Sequence, residues 1–311
     1  MAIALSHFRG FCGFLPHPTL LLLLSTIPEM RSLVGADALR ALANASEPAL
    51  PFPDPEAEDY EEALRELEKQ AKEASGSERD GEFKTSAKEK DALKRVFEIL
   101  MTSSDEQTTS TLRSLIKRYS SSEPNCKSEF ETTLIPLVKE LNRQFPDDVG
   151  VLCCFMLNVV EMDKGAAMFL KADEPHAYIS GDNVVRAGLT PKLRDVPTLV
   201  SMLTYTSAPA HAQLLQPSSF APHTQLYNPP IDEFSVLRLA LASFESATHH
   251  PIEGPSLCIV TDGEGTIRAK DGSDSVDVKR GNVVFIAAAT EVEFVAGSGQ
   301  GLEVYRAYVE A

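Results

Sequence analysis

Two hydrophobic periods run along the chain, and the change from one to the other divides it. Residues 1–19 mix β-favouring and turn residues (Phe8, Gly10, Phe11, Gly13, Phe14, Pro16), which predicts a strand ending in a loop. Residues 18–46 predict one or two helices, with Pro18 near the first start and Gly35 as a stop. Residues 47–60 carry Pro48, Pro51, Pro53 and Pro55 among acids and form a linker or exposed turn. Glu58 to Ala74 is a helix with interspersed opposite charges, and Ser75 to Gly81 is a flexible break. Three amphipathic segments follow. Leu93, Val96, Phe97 and Leu100 share one face of 87–101, as do Leu112, Leu115, Ile116 and Tyr119 in 110–119. Phe130, Leu134, Leu137, Val138 and Leu141 do so in 129–145. Residues 18–145 therefore read as one helical domain around one core.

Past Pro146-Asp147-Asp148 the period falls to two. The apolar run 149–162, the turn Asp163-Lys164-Gly165 and the run 166–170 predict strand, tight turn, strand. Phe234 to Leu241 alternates, and Ser256 to Val260 reads as a strand. Asp262-Gly263-Glu264-Gly265 reads as a turn after which Thr266 to Ala269 pairs back. Strands at 276–278, 282–287, 291–295 and 302–309 complete the set, the spacing of a sandwich or jelly roll.

Composition narrows the classes. With 311 residues and 43% hydrophobic, the chain can bury a core and hold more than one domain. A formal net charge of -16 argues against nucleic acid and anionic membrane surfaces as partners. It leaves room for a small anionic substrate in a local basic pocket. Five cysteines without a CxxC pair, two of them in the apolar run at Cys153 and Cys154, fit buried thiols in a reducing, cytoplasmic setting. The Leu20–Leu24 run has only Arg9 as a basic residue before it, is broken upstream by Pro16 and Pro18, and continues into a helical pattern. It reads as a buried helix rather than a signal peptide. No stretch reaches the ~20 apolar residues of a membrane span.

Two stretches carry chemistry. One is Ala172-Asp-Glu-Pro-His-Ala-Tyr-Ile-Ser-Gly-Asp182; the other runs from Asn183 through Val-Val-Arg-Ala-Gly-Leu-Thr-Pro-Lys to Leu199. Together they closely resemble the signature region of type I mannose-6-phosphate isomerases. Phe8 to Phe14, Ile27 to Met30 and Tyr227 to Phe234 extend the resemblance more loosely along the chain. It implies a mixed α and β fold: cupin-type β-barrel or jelly-roll regions with an inserted helical domain. Residues 1–17 would be the remnant of an N-terminal cupin catalytic domain and 18–145 the helical domain. Residues 146–210 would be the catalytic cupin's return strands, and 211–311 a C-terminal cupin-like domain. The implied activity is zinc-dependent interconversion of mannose 6-phosphate and fructose 6-phosphate, feeding GDP-mannose and glycan synthesis, in a cytoplasmic monomer.

The resemblance also assigns residues. His176 takes the position of a zinc ligand, Arg186 a catalytic position, and Lys192 and Tyr178 substrate-binding positions. Read without it, His176 is more often structural, Arg186 a surface ion-pair partner and Lys192 a solvated cation. Tyr178 alternates with His176, so the two could share a strand face. His249-His250 reads as a loop pair, since strand neighbours point apart. The family's Q-x-H and K-P-E metal-ligand segments have no counterpart here, leaving His176 as one of four ligands. The chain looks N-terminally truncated, with a further short gap at the Asp182–Asn183 junction. Impaired or absent activity is therefore expected. The alternative is a non-catalytic, cupin-derived sugar-phosphate binder.

Overall fold

A computed structural model describes residues 1–76, 83–177 and 185–309. They form two compact units. The helical unit comprises Arg9–Glu161 and Leu170–Gln213; the barrel unit comprises Met1–Phe8, Met162–Phe169 and the chain from Leu214 onward.

The chain opens with β1 (Ala2–Ile3) and β2 (Phe8–Phe14), then enters seven helices. These are α1 (His17–Thr26), α2 (Pro28–Val34), α3 (Ala36–Ala43), α4 (Tyr60–Gly76), α5 (Ala87–Met101), α6 (Asp105–Tyr119) and α7 (Glu129–Gln144). Leu20 to Leu24 are all buried, so α1 is apolar on every side and forms the centre of the unit. Pro28 starts α2 where no amide partner is lost, and Gly35 (φ 87°) ends it; the segment 18–46 thus holds three helices, not one or two. Ser86 with Glu89, and Ser104 with Gln107, close reciprocal capping boxes at the starts of α5 and α6. Three helices are tied by charge. Arg118 on α6 reaches Glu29 Oε2 on α2 and Glu131 Oε1 on α7, both at 2.7 Å.

A 3-10 helix (Val149–Phe155) leads into β3 (Leu157–Met162). The expected strand over 149–162 is thus a strand only in its second half, because Asp148 caps Gly150 N at 2.7 Å and bends the first half. The sheet of the helical unit has the order β3-β2-β5, where β5 is His176–Ala177. Strands separated in sequence by all seven helices therefore lie side by side. Buried Asn158 seals the arrangement by donating to Phe14 O (3.0 Å) and Ala208 O (2.9 Å). Phe14 packs edge-on against Phe97 and stacks on Tyr205.

In the barrel unit, β4 (Ala167–Met168) lies between β1 and β6 (Leu214–Leu215). β3 and β4 consequently belong to different sheets, and the expected hairpin through Asp163-Lys164-Gly165 does not form. The short α8 (Val196–Met202) belongs to the helical unit. The main sheet uses β7 (Ser218–Ala221), β8 (Thr224–Tyr227), β9 (Ser235–Leu241), β10 (Ser246–His249) and β11 (Ser256–Ala269). It is completed by β12 (Ser275–Lys279), β13 (Val283–Ile286), β14 (Val292–Ala296) and β15 (Leu302–Tyr308). The order is β10-β14-β11-β15-β9-β8-β7, with β12 and β13 also on β11. Leu239, Leu241, Cys258, Val260, Ile267, Phe294, Leu302 and Val304 fill its interior in strict alternation. His249 on β10, one end of the path, bonds Thr224 on β8, next to the other end (Nε2 to Oγ1, 3.0 Å), so the sheet is rolled nearly closed. The mixed architecture of a cupin-type barrel with inserted helices is what forms.

Two local expectations are overturned. Asp262-Gly263-Glu264-Gly265 is no turn; β11 runs through it with a bulge between Val260 and Asp262. A β-carbon on Gly263 would sit 1.9 Å from Gly301 O, so this glycine serves close strand approach at a bend. His249 is no loop residue; it ends β10 and is buried, while His250 is exposed.

Arg118→Met should lower the unfolding free energy of the helical unit by about 3–5 kcal/mol, because two carboxylates stay behind largely buried. Chemical denaturation would measure this, and Glu131→Gln added to Arg118→Met should recover part of the loss. A pH dependence follows from two histidines. Burial lowers the pKa of His17, and burial with the nearby Arg306 lowers that of His249 to about 4. Below about pH 6.5 the unfolded chain takes up protons that the native state refuses. Stability should therefore fall between about pH 6.5 and 4, by up to roughly 3 kcal/mol for His249. In phosphate-free buffer, His249→Asn should flatten the melting temperature of the barrel over this window.

Candidate functional site

β5 places His176 beside β2, in register with Cys12. The His176 Nδ1 lies 3.0 Å from Glu174 O, a contact that puts the proton on Nδ1 and makes Nε2 the ring's acceptor nitrogen. The Glu174 carboxyl accepts the Thr204 hydroxyl, and burial raises its pKa. Burial, with a smaller contribution from Glu174, pushes the Cys12 thiol up to about 12, so Cys12 is no thiolate nucleophile. It donates instead towards Gln213 Oε1 at 3.7 Å.

The segment from Val185 to Lys192 has no regular structure, so its position depends on what holds it. Asp148 is the anchor. Its Oδ1 accepts from Gly150 N (2.7 Å) and from Leu189 N (2.9 Å). Gly188 lies against the same carboxylate: a β-carbon there would come 2.5 Å from Asp148 Oδ1 and 2.6 Å from Gly150 N. Leu189 follows with φ 55°, an uncommon conformation for a branched side chain. Arg186 is half-buried two residues before Gly188. Lys192 is exposed, its amide donating to Thr190 Oγ1 at 3.2 Å. Asp195 then starts α8 by accepting from Thr198 N. His176 thus rests on the sheet, while Arg186 and Lys192 ride a segment docked on the 3-10 helix. Tyr178 and Asp182 lie outside the described residues. Among the described residues, no group of three or more His, Cys, Asp and Glu side chains could hold a metal ion. Sequence reasoning missed Asp148, which reads as part of a Pro-Asp-Asp turn, although a glycine inside a motif segment is a sign of close backbone approach.

Comparison with known proteins agrees with this architecture. The model described as phosphomannose isomerase type I, helical insertion domain, matches residues 61–157, and the type I C-terminal model matches 225–271. The mannose-6-phosphate isomerase of Cryptococcus neoformans var. neoformans serotype D is 45% identical over 323 residues, covering 100% of this chain and 69% of that protein. That of Saccharomyces cerevisiae is 38% identical over 327 residues, covering 100% and 68%. The crystal structure of Salmonella typhimurium mannose 6-phosphate isomerase with bound fructose 6-phosphate and zinc aligns with a TM-score of 0.66 at 21% identity. That alignment covers 99% of this chain and 65% of the other. The class is a cupin-type fold with a helical insertion, shared with aldose–ketose isomerases. The chain belongs to the type I phosphomannose isomerase family, and it spans about two-thirds of the length of the relatives it matches.

Asp148→Ala should release the 185–190 segment, leaving the Gly150 and Leu189 amides without their acceptor. Each such loss costs about 1–3 kcal/mol, enough to raise local opening about tenfold or more. Limited trypsinolysis followed by mass spectrometry would show it as faster cleavage after Arg186, with cleavage at sites in the barrel unit unchanged.

Proposed function

We propose that the chain carries the sugar-phosphate-handling part of a mannose-6-phosphate isomerase, interconverting mannose 6-phosphate and fructose 6-phosphate in the cytoplasm as a monomer. The observation that carries this is the Arg186 segment, kept at a defined place by the Asp148 anchor and the Gly188 contact. Aldose–ketose isomerisation moves a proton between adjacent carbons through an enediolate. Its needs are a stabiliser for developing oxyanion charge and a grip on the phosphate. Arg186 is assigned the first role, because a guanidinium stays charged and presents a planar fork of donors. Lys192 is assigned to the phosphate as a point charge, Tyr178 to the substrate, and His176 to the family's metal position. A zinc ion does not fit the described residues as a group, so no step is routed through metal here.

That last observation favours a second reading for these 311 residues taken alone: sugar-phosphate binding with little turnover. A coupled assay for fructose 6-phosphate formation with added zinc separates the two. The chain would be compared with a fusion preceded by the portion of the Cryptococcus neoformans enzyme that it does not match. We expect activity in the fusion, weak or none in the chain alone, and a loss of about 10²–10³ in kcat for Arg186→Ala in the fusion with its fold unchanged. Equal turnover by chain and fusion would overturn the impaired reading. An inert fusion that is folded and zinc-loaded would overturn the isomerase assignment.

A further inference from the structure

The barrel interior contains a charge that the proposed isomerase chemistry does not use. Arg306 on β15 points inward and is 1% exposed. It interrupts an otherwise apolar core. On the same face of β15, Leu302 and Val304 belong to one apolar cluster and Tyr308 to another, with Arg306 between them. Its partners are few. Nε donates to Ser256 Oγ at 2.9 Å, and one terminal nitrogen lies 3.5 Å from His249 Nδ1. Of the five N–H donors of a guanidinium, two are used in this way; the other three bond no described residue, and the second terminal nitrogen is not sealed from solvent. No described carboxylate lies within ion-pair distance of it.

The neighbours fix the chemistry further. His249 is 1% exposed, and its Nε2 lies 3.0 Å from Thr224 Oγ1, while the Thr224 hydroxyl donates to Pro222 O. With that hydroxyl proton committed, His249 Nε2–H donates and Nδ1 is the lone pair facing Arg306. The ring is therefore neutral and offers no negative charge. Phe294 packs 4.8 Å from the ring, and half-exposed Phe220 lies edge-on at 5.9 Å. His250 is the other titratable group near the ring. Contrast Arg118 in the helical unit, where two carboxylates answer one guanidinium. A buried cation without a carboxylate partner costs several kcal/mol, and fold stability alone is better served by an apolar side chain of similar volume.

We propose that Arg306, Ser256 and His249 form an anion site inside the C-terminal barrel, taking a small phosphate group. Arg306 on β15 and Ser256 on β11 can donate to it, and His249 on β10 becomes a third donor once its Nδ1 takes a proton, an arrangement from three strands that suits a tetrahedral oxyanion better than a planar carboxylate. The site is independent of Arg186 and of the isomerase assignment.

The test uses the full chain, with inorganic phosphate and glucose 6-phosphate as separate probes and acetate for comparison. The titration of His249 is followed by ring ¹H–¹⁵N NMR, and affinity by calorimetry. A bound dianion beside the ring favours the imidazolium, so phosphate should raise the His249 midpoint by about one unit or more. Arg306→Met should weaken phosphate binding at least about tenfold and abolish the His249 shift. Ser256→Ala should weaken it several-fold, and this variant carries the test if Arg306→Met does not fold. A response to inorganic phosphate alone makes the ligand the free ion; a response to both probes makes it a phosphate ester or the free ion. Three results would overturn the site. One is an unmoved His249 midpoint with both probes at millimolar concentration. Another is an undiminished response in Arg306→Met or, failing that, in Ser256→Ala. The third is an equal response to acetate.

Discussion

The helical unit depends on one pairing. The chain leaves the sheet at Phe14, runs through seven helices, and returns at Leu157 beside the strand it left. Every helix between is an excursion whose two ends must meet. Closing a loop of this length costs on the order of 4–5 kcal/mol, since the cost grows only with the logarithm of its length. Asn158 secures the closure, because its side-chain amide donates to two carbonyls, Phe14 O and Ala208 O, beside the backbone bond from Ala208 N to Phe14 O. Phe14 then turns its ring into the helical core against Phe97 and Tyr205. The same residue thus accepts the seal through its backbone and anchors the helices through its side chain. β5, with His176, is laid on the other edge of β2, so the signature region inherits its place from the strand that launches the helices.

The two buried arginines show how differently one side chain is used in the two units. Arg118 spends its fork on Glu29 and Glu131 and thereby fixes the mutual placement of α2, α6 and α7. Nothing further is needed to explain it: three helices with apolar faces can slide, and an ion-pair triad selects one register. Arg306 fixes no such thing. Its strand is already held on both sides, by β11 and by β9, through backbone registers that are unbroken around it. Its hydroxyl and imidazole contacts add little to a ladder of that length, and burial lowers its pKa by penalising the charge. The balance of cost against structural gain therefore runs in opposite directions for the two residues.

Much of this was legible in the sequence, and the reasons are specific. α5, α6 and α7 appear because Leu93, Leu112 and Leu137 recur with their neighbours at helical spacing, and propensity, caps and packing agree there. β9, β12, β13, β14 and β15 appear because short apolar or alternating runs are bounded by turn residues. Failures occur where one residue type has two uses. Gly263 and Gly265 read as a turn because glycine most often reverses a chain, yet here they let β11 bend under Gly301. Val149 to Phe155 reads as a strand because it is continuously apolar, and periodicity cannot tell a buried strand from a short buried helix. His176, Arg186 and Lys192 came from motif resemblance, and Asp148 escaped because nothing local marks a carboxylate whose partner is 41 residues on. Arg306 was visible in principle: in Leu302-Glu-Val-Tyr-Arg-Ala-Tyr308 it occupies an apolar parity position, where a charged residue contradicts the pattern.

The signature segment itself is better understood as a packing solution than as a string of reactive groups. Arg186 is the only residue of Val-Val-Arg-Ala-Gly-Leu to which chemistry is assigned, yet Gly188 and Leu189 are no less constrained. Leu189 in the left-handed region costs of order 1 kcal/mol or more, and that cost is accepted only where surrounding structure over-determines it. The compensation is visible: the conformation turns Leu189 N onto Asp148, and the absent β-carbon of Gly188 lets the two backbones touch. Alanine at position 188 would separate them and undo the contact for which the strain exists. Asp148 meanwhile caps the 3-10 helix that leads to β3, so one carboxylate couples the Arg186 segment to the strand that closes the helical excursion. A guanidinium in the role proposed for Arg186, meeting charge that appears only during reaction, must be placed before the reaction begins. In this chain that placement comes from an aspartate with no chemical role of its own.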